Sequence, residues 1–261
     1  MLKFSANISL LFTELDLIDR FKAVKQAGFN GVEIQFPYLL DAQAIKTELD
    51  GQQLKLVLFN VAADDLLQGG EGLACVPEKQ GQFRQAVVQA LDYAQLLKPD
   101  AVNVLPGRCF DETRLPDYLA AFKENLRYAA DAFAPLGIKT VFEAINTYDM
   151  PGFIIHNGQQ MLAIMDELNH VNLYMQYDIY HNVRMGEPVG QFIGQHADKI
   201  GHVQFADCPG RGQPGSGQVD FARLFLDIGQ SGYLGWLGAE YNPQGMTADS
   251  LGWLKQRVAT R

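Results

Sequence analysis

The chain has 261 residues, of which 48% are hydrophobic and 20% charged, the balance of an ordinary folded globular protein. A formal charge of −9 argues against a nucleic-acid or anionic-membrane partner, and no run approaches the roughly 20 apolar residues of a membrane span. Three cysteines, Cys75, Cys109 and Cys208, are odd in number and form no CxxC pair, as expected of reduced thiols in a cytoplasmic protein.

Residues 3–8 read as a first strand rather than a secretory leader, because Ser5, Asn7 and Ser9 interrupt the apolar run. Thr13-Glu14-Leu15-Asp16 resembles a helix cap, and the amphipathic segment that follows stops at Gly28. A strand at 31–36, a polar helix at 41–50 and a strand at 54–60 come next. A helix at 80–97 leads to a strand at 101–105. Pro116 suits the first turn of another helix, whose apolar positions Leu119, Phe122, Leu126, Ala130 and Phe133 recur at helical spacing until Gly137 ends it. The pattern then repeats: strand 139–143, helix from a cap at Asn157 to Leu168, strand 172–178, helix 189–197, strand 200–206, helix 219–229, strand 234–240 and a last helix near 247–258.

Eight strands alternating with helices imply parallel pairing by crossover. Eight such units in 261 residues fit one (β/α)8 TIM barrel spanning 1–261. An open doubly wound sheet is disfavoured, since no linker or composition break occurs and no glycine fingerprint follows the first strand. Long loops follow strands three, five, six and seven, whereas the joints entering strands are short. One face of the barrel is therefore elaborate, and that C-terminal face is where such folds carry chemistry. Gly69-Gly-Glu-Gly-Leu73 reads better as a surface loop than as a lid hinge.

Carboxylates end three of the late strands, at Glu143, Asp178 and Glu240, and Gln204 stands on the seventh. Strand alternation turns all four to one side, and neighbouring strands lie about 4.8 Å apart. Three carboxylates converging on one rim repel one another unless they are protonated or share a cation. Oxygen donors of this kind suit a divalent metal, Mg²⁺ or Mn²⁺. His181, three residues beyond Asp178, and the loop cations Arg211 and Arg108 are candidate substrate contacts, the arginines as clamps for a carboxylate. Glu33 and Gln35 are expected to line the lower barrel as buried, paired polar groups. His156, His170, His196 and His202 offer no ligand spacing. Gly210-Arg-Gly-Gln-Pro-Gly215 matches G-x-G-x-x-G formally, but Pro214 delays the next helix, which argues against a nicotinamide site. No Gly-x-Ser-x-Gly elbow or paired cysteine supports covalent catalysis.

Glu143 closing Lys-Thr-Val-Phe-Glu, Asp178-Ile-Tyr-His181, His202-Val-Gln204 with its Arg-Gly-Gln-Pro-Gly loop, and Ala239-Glu240-Tyr241 together resemble the xylose isomerase-like TIM-barrel superfamily. Within it, the whole chain resembles the hydroxypyruvate isomerase family, which includes relatives acting on 2-oxo-tetronates. The resemblance implies a divalent metal held by Glu143, Asp178, Gln204 and Glu240, with Glu143 and Glu240 also moving protons. It implies a small hydroxy- or oxo-acid substrate, no nucleic-acid or membrane partner, and leaves a homo-oligomer open. Ketose 3-epimerases of the superfamily usually carry histidine at the position of Gln204, which makes a larger ketose a poorer fit. A polyol dehydratase, a three-zinc abasic-site endonuclease and a non-catalytic sugar-acid binder are the rival readings.

Overall fold

In the computed structural model, which describes residues 2–254, the apolar runs become parallel strands and the amphipathic stretches pack across them. The strands are β1 (Lys3–Asn7), β2 (Gly31–Ile34), β3 (Lys55–Asn60), β4 (Ala101–Asn103), β5 (Lys139–Glu143), β6 (Leu173–Asp178), β7 (Ile200–Phe205) and β8 (Trp236–Ala239). Each pairs with its sequence neighbours, and β8 returns to β1, so the sheet closes into the expected eight-stranded barrel. Around it lie α1 (Arg20–Gln26), α2 (Ala42–Gln52), α3 (Gln80–Leu97), α4 (Leu115–Phe133), α5 (Gly158–Leu168), α6 (Ile179–Arg184), α7 (Val189–His196) and α8 (Phe221–Gln230).

Local signals explain most of the boundaries. The Asp41 side chain accepts from the backbone N–H groups of Gln43 and Ala44, and Asn157 accepts from that of Gln160, satisfying donors that the first turn leaves unpaired. Two segments depart from expectation. Residues 13–19 form turns, and α1 starts only at Arg20, because Glu14 is drawn across the fold to the backbone N–H and hydroxyl of Thr247. A helix, α6, stands where a loop was expected after the sixth strand. The last expected helix begins as a 3-10 turn at Thr247–Leu251 and runs helically through 252–254; its remainder lies outside the described residues.

The main apolar core lies between barrel and helices, where Phe59, Phe83, Phe122, Phe142, Phe205 and Phe225 are fully buried. The barrel interior divides into two layers. At the N-terminal end Val57, Val141, Tyr174 and Trp236 form an apolar floor. Gly31 and Gly201 make room for it: a Cβ on Gly31 would sit 2.8 Å from the Trp236 ring, and one on Gly201 2.8 Å from Val141 and Tyr174. Outside that floor the molecule has a depression of about 780 Å³, where Lys3 covers the Trp236 ring and Lys139 the Tyr174 ring. Above the floor the interior turns polar, with Ser5, Asn7, Glu33, Glu143, Gln176, Asp178, His202 and Gln204 all buried. Buried polar groups need partners, so this layer forms a hydrogen-bonded network opening toward the long loops.

Candidate active site

Strand register decides what meets at the C-terminal mouth. Glu143 on β5 stands beside Gln176 on β6, Asp178 beside Gln204 on β7, and Gln204 beside Gly238 on β8. Glu240 follows two residues beyond Gly238, just past the end of β8. Glu143, Gln176 and Glu240 line a cavity of about 440 Å³ together with Gln35, Asn60, Asp149, His181 and Arg211. Apolar side chains line the rest of it: Phe36, Leu67, Leu105, Ile145 and Met150.

The three carboxylates are at most 6% exposed. Burial pushes the Glu143 carboxyl well above the ordinary carboxylate range, and the charges of Glu240 and Asp178 push it further. Burial raises Asp178 and Glu240 too, with the Arg211 guanidinium working against it at both. Hydrogen bonds divide the oxygens between separate donors. Gln176 Nε2 donates to Glu143 Oε2 and to Gln204 Oε1, the latter at 2.6 Å. Glu240 Oε1 accepts from Asn7 Nδ2 at 2.9 Å, Gln35 Nε2 at 3.0 Å and Gln204 Nε2 at 3.3 Å, while its Oε2 is paired with Arg211 Nη2. Arg211 Nη2 also lies 4.0 Å from Asp178 Oδ2.

Arg211 is held here by its loop. The buried Asp207 carboxylate accepts from the backbone N–H groups of Cys208, Gly215, Gly217 and Val219 at 2.8–3.0 Å, and the Asp207 N–H donates to Gly212 O. One side chain thus folds the glycine-rich segment back on itself and presents Arg211, in a left-handed conformation at φ +53°, to the cavity. The guanidinium lies over the Tyr180 ring, and its buried Nε has no partner among the described residues.

Asp178 serves two ends at once. Its Oδ1 accepts from the backbone N–H of His181, capping α6, and its Oδ2 lies 3.7 Å from His181 Nε2. His181 Nδ1 is 2.7 Å from Asn146 Nδ2 and accepts from it, so Nε2 carries the hydrogen. Burial, then the charge of Arg211, holds His181 well below the ordinary histidine range, which makes it a neutral donor.

Of the candidate residues, Glu143, Asp178, Gln204, Glu240, His181 and Arg211 come together. Arg108 does not join them: its Nη1 reaches Gly69 O, and its backbone N–H donates to Glu71 O. It thereby ties down the 69–73 loop, which Tyr118 also holds through Glu71. Gln35 is misplaced by the sequence reading, because it continues past β2 to the upper rim and binds Glu240 instead of lining the lower barrel. Gln176, Asn7 and Asp149 also escaped notice. Gln176 shares a strand face with Asp178, and that alternation was the available signal.

Three buried carboxylates with one neutralising arginine leave a surplus of negative charge, and a neutral amide oxygen stands beside them. That set fits a hard cation. In the present side-chain arrangement no three His, Cys, Asp or Glu groups among the described residues gather on one point.

Residues 21–257 match the xylose isomerase-like TIM-barrel family, and the chain belongs to it. A 3-keto-D-glucoside 4-epimerase from Escherichia coli shares the fold at TM-score 0.82 with 20% identity, covering 98% of this chain and 100% of that one. Within the family the chain sits with the hydroxypyruvate and 2-oxo-tetronate isomerases. It is 41% identical to the hydroxypyruvate isomerase of Escherichia coli (strain K12), covering 97% of this chain and 98% of that one. It is 37% identical to the 2-oxo-tetronate isomerase of Pectobacterium atrosepticum, covering 97% of each. A crystal structure from Brucella melitensis described as an AP endonuclease, family 2, superimposes at TM-score 0.94 with 36% identity, covering 98% of this chain and 99% of that one.

Proposed function

We propose that the chain isomerises a small 3-hydroxy-2-oxo acid, hydroxypyruvate to tartronate semialdehyde or a 2-oxo-tetronate to its 3-oxo isomer. The observation that carries this reading is the placement of two buried glutamates, Glu143 and Glu240, around one cavity beside an arginine with an unpartnered donor. The reaction moves one proton from C3 to C2 and one from the C3 hydroxyl to the C2 oxygen, through an enediol of the substrate. Glu143 and Glu240 are the groups that take and return the carbon-bound proton. Arg211 Nε meets the substrate carboxylate, which orients C2 and C3 between them. His181 Nε2–H donates to a substrate oxygen, and the apolar side chains of Phe36, Leu105 and Ile145 exclude water around it. A divalent cation such as Mg²⁺ or Mn²⁺, held by Glu143, Asp178, Gln204 and Glu240, would supply Lewis-acid polarisation of the 2-oxo group. Three unpaired thiols support a cytoplasmic location.

Proton NMR of hydroxypyruvate and of 2-oxo-tetronate, each with the protein and Mn²⁺-free Mg²⁺ buffer, tests this. An aldehyde or 3-oxo product from one of the two acids is expected. No turnover of either acid with Mg²⁺, and none after exchange into dilute Mn²⁺, would remove the isomerase reading.

A further inference from the structure

Glu33 lies one layer beneath the cavity, fully buried on β2, where the sequence suggested only structural pairing. Space is reserved for it, since any Cβ on Gly238 of β8 would run into its carboxylate. Ser5 Oγ donates to its Oε1, His202 Nε2 lies 2.9 Å from the same oxygen, and Gln204 Nε2 donates to its Oε2 at 2.8 Å. Both of its oxygens therefore accept, whereas an amide can turn either end to a neighbour.

We propose that Glu33 is a positioning residue that sets the direction of a hydrogen-bond chain running up to Glu143. Facing Glu33, Gln204 turns its NH₂ to Glu33 Oε2, and to Glu240 Oε1 at 3.3 Å, which leaves its carbonyl oxygen to face Gln176. That oxygen in turn requires the Gln176 NH₂, which donates to Gln204 Oε1 at 2.6 Å and also to Glu143 Oε2. The order is Glu33, Gln204, Gln176, Glu143, with the Gln204 NH₂ donating to Glu33 and the Gln176 NH₂ donating to both Gln204 and Glu143. Reversing Gln204 would set two NH₂ groups against each other, and the relief of that clash would turn the Gln176 oxygen onto Glu143. The inference rests on the reading of Glu143 and Gln204 as members of the cation and proton-transfer site.

Mn²⁺ affinity, read from the electron paramagnetic resonance of the free ion, tests it without turnover. Glu33→Gln should weaken Mn²⁺ binding about tenfold to a hundredfold, the range that orienting partners of metal ligands command. Gly238→Ala, which displaces Glu33 without changing it, should act in the same direction. The discriminating background is Gln204→Glu, whose two oxygens need no orienting. There Glu33→Gln supplies an NH₂ to the new carboxylate, so the second substitution should leave affinity unchanged or improve it. Equal losses in both backgrounds would mean that Glu33 acts through stability alone and would overturn the proposal. Wild-type binding with unaltered Glu33→Gln affinity overturns it too, leaving the isomerase reading intact. No Mn²⁺ binding by the wild type removes the cation site itself, and this inference with it.

Discussion

Glu143 carries the largest electrostatic load in the cavity, buried beside two other carboxylates and offset only partly by Arg211. Its proton is held more tightly in the folded chain than in the unfolded one. Its contribution to stability is therefore present at low pH and lost as pH rises from the ordinary carboxylate range through the raised folded value. Glutamine cannot ionise and escapes that loss. Chelator-treated Glu143→Gln should melt above the wild type at pH 8 by a few °C, with about 2–4 °C per kcal/mol expected for a chain of this size. At pH 4 the two should converge. A variant that melts below the wild type by the same margin at both pH values would show that the carboxylate carries no such burden. Strand alternation in the sequence is enough to place Glu143, Asp178, Gln204 and Glu240 on one side. Two of the partners that share their oxygens are not legible, because Gln35 and Asn7 reach Glu240 from more than 200 positions away in the chain.

At the scale of elements, the 207–219 segment shows how one side chain substitutes for regular structure. Asp207 gathers four backbone N–H groups that would otherwise be buried without partners, and Arg211 owes its position to that fold. Asp207→Ala should cost about 1–3 kcal/mol, the penalty for stranding buried donors, and should raise KM for the acid substrate more than it lowers kcat. Urea melts and steady-state kinetics read both; an unchanged KM would separate the loop from substrate binding. The glycines of this loop formally match a dinucleotide fingerprint in the sequence, yet four of the segment's backbone donors are already spent on Asp207. α6 was missed for a related reason. Asp178 caps it with the i to i+3 spacing of an ordinary helix start, but a six-residue helix leaves too little periodicity to be seen. Long helices such as α3 and α4 were legible because each buries one continuous apolar stripe against the barrel.

The whole molecule keeps its two barrel ends apart. The N-terminal mouth is stoppered by aromatic rings beneath lysine side chains, and the carboxylates lining the larger depression there, Asp100 and Asp198, are exposed, Asp100 paired with Lys55. The buried carboxylates gather at the opposite mouth, where long loops and strand ends converge. Composition also bears on the relative described as an endonuclease. A formal charge of −9 is unfavourable toward a polyphosphate backbone, and His181 is the one histidine among the described cavity-lining residues. The fold was readable because closure of eight parallel units follows from alternation and short return joints, whereas the polar layer depends on contacts such as Glu33 to Gln204, 171 positions apart.

The proposed proton transfer between C3 and C2 by Glu143 and Glu240 is read by deuterium exchange even when product does not accumulate. Hydroxypyruvate in D₂O with the wild-type protein and Mg²⁺ or Mn²⁺ should gain deuterium at the exchanging carbon well above the rate without protein. Glu143→Gln and Glu240→Gln, each verified as folded, should each slow that exchange by about 10²–10⁴-fold. Exchange at the wild-type rate in either variant would contradict the assignment of that glutamate, and in both would contradict the mechanism.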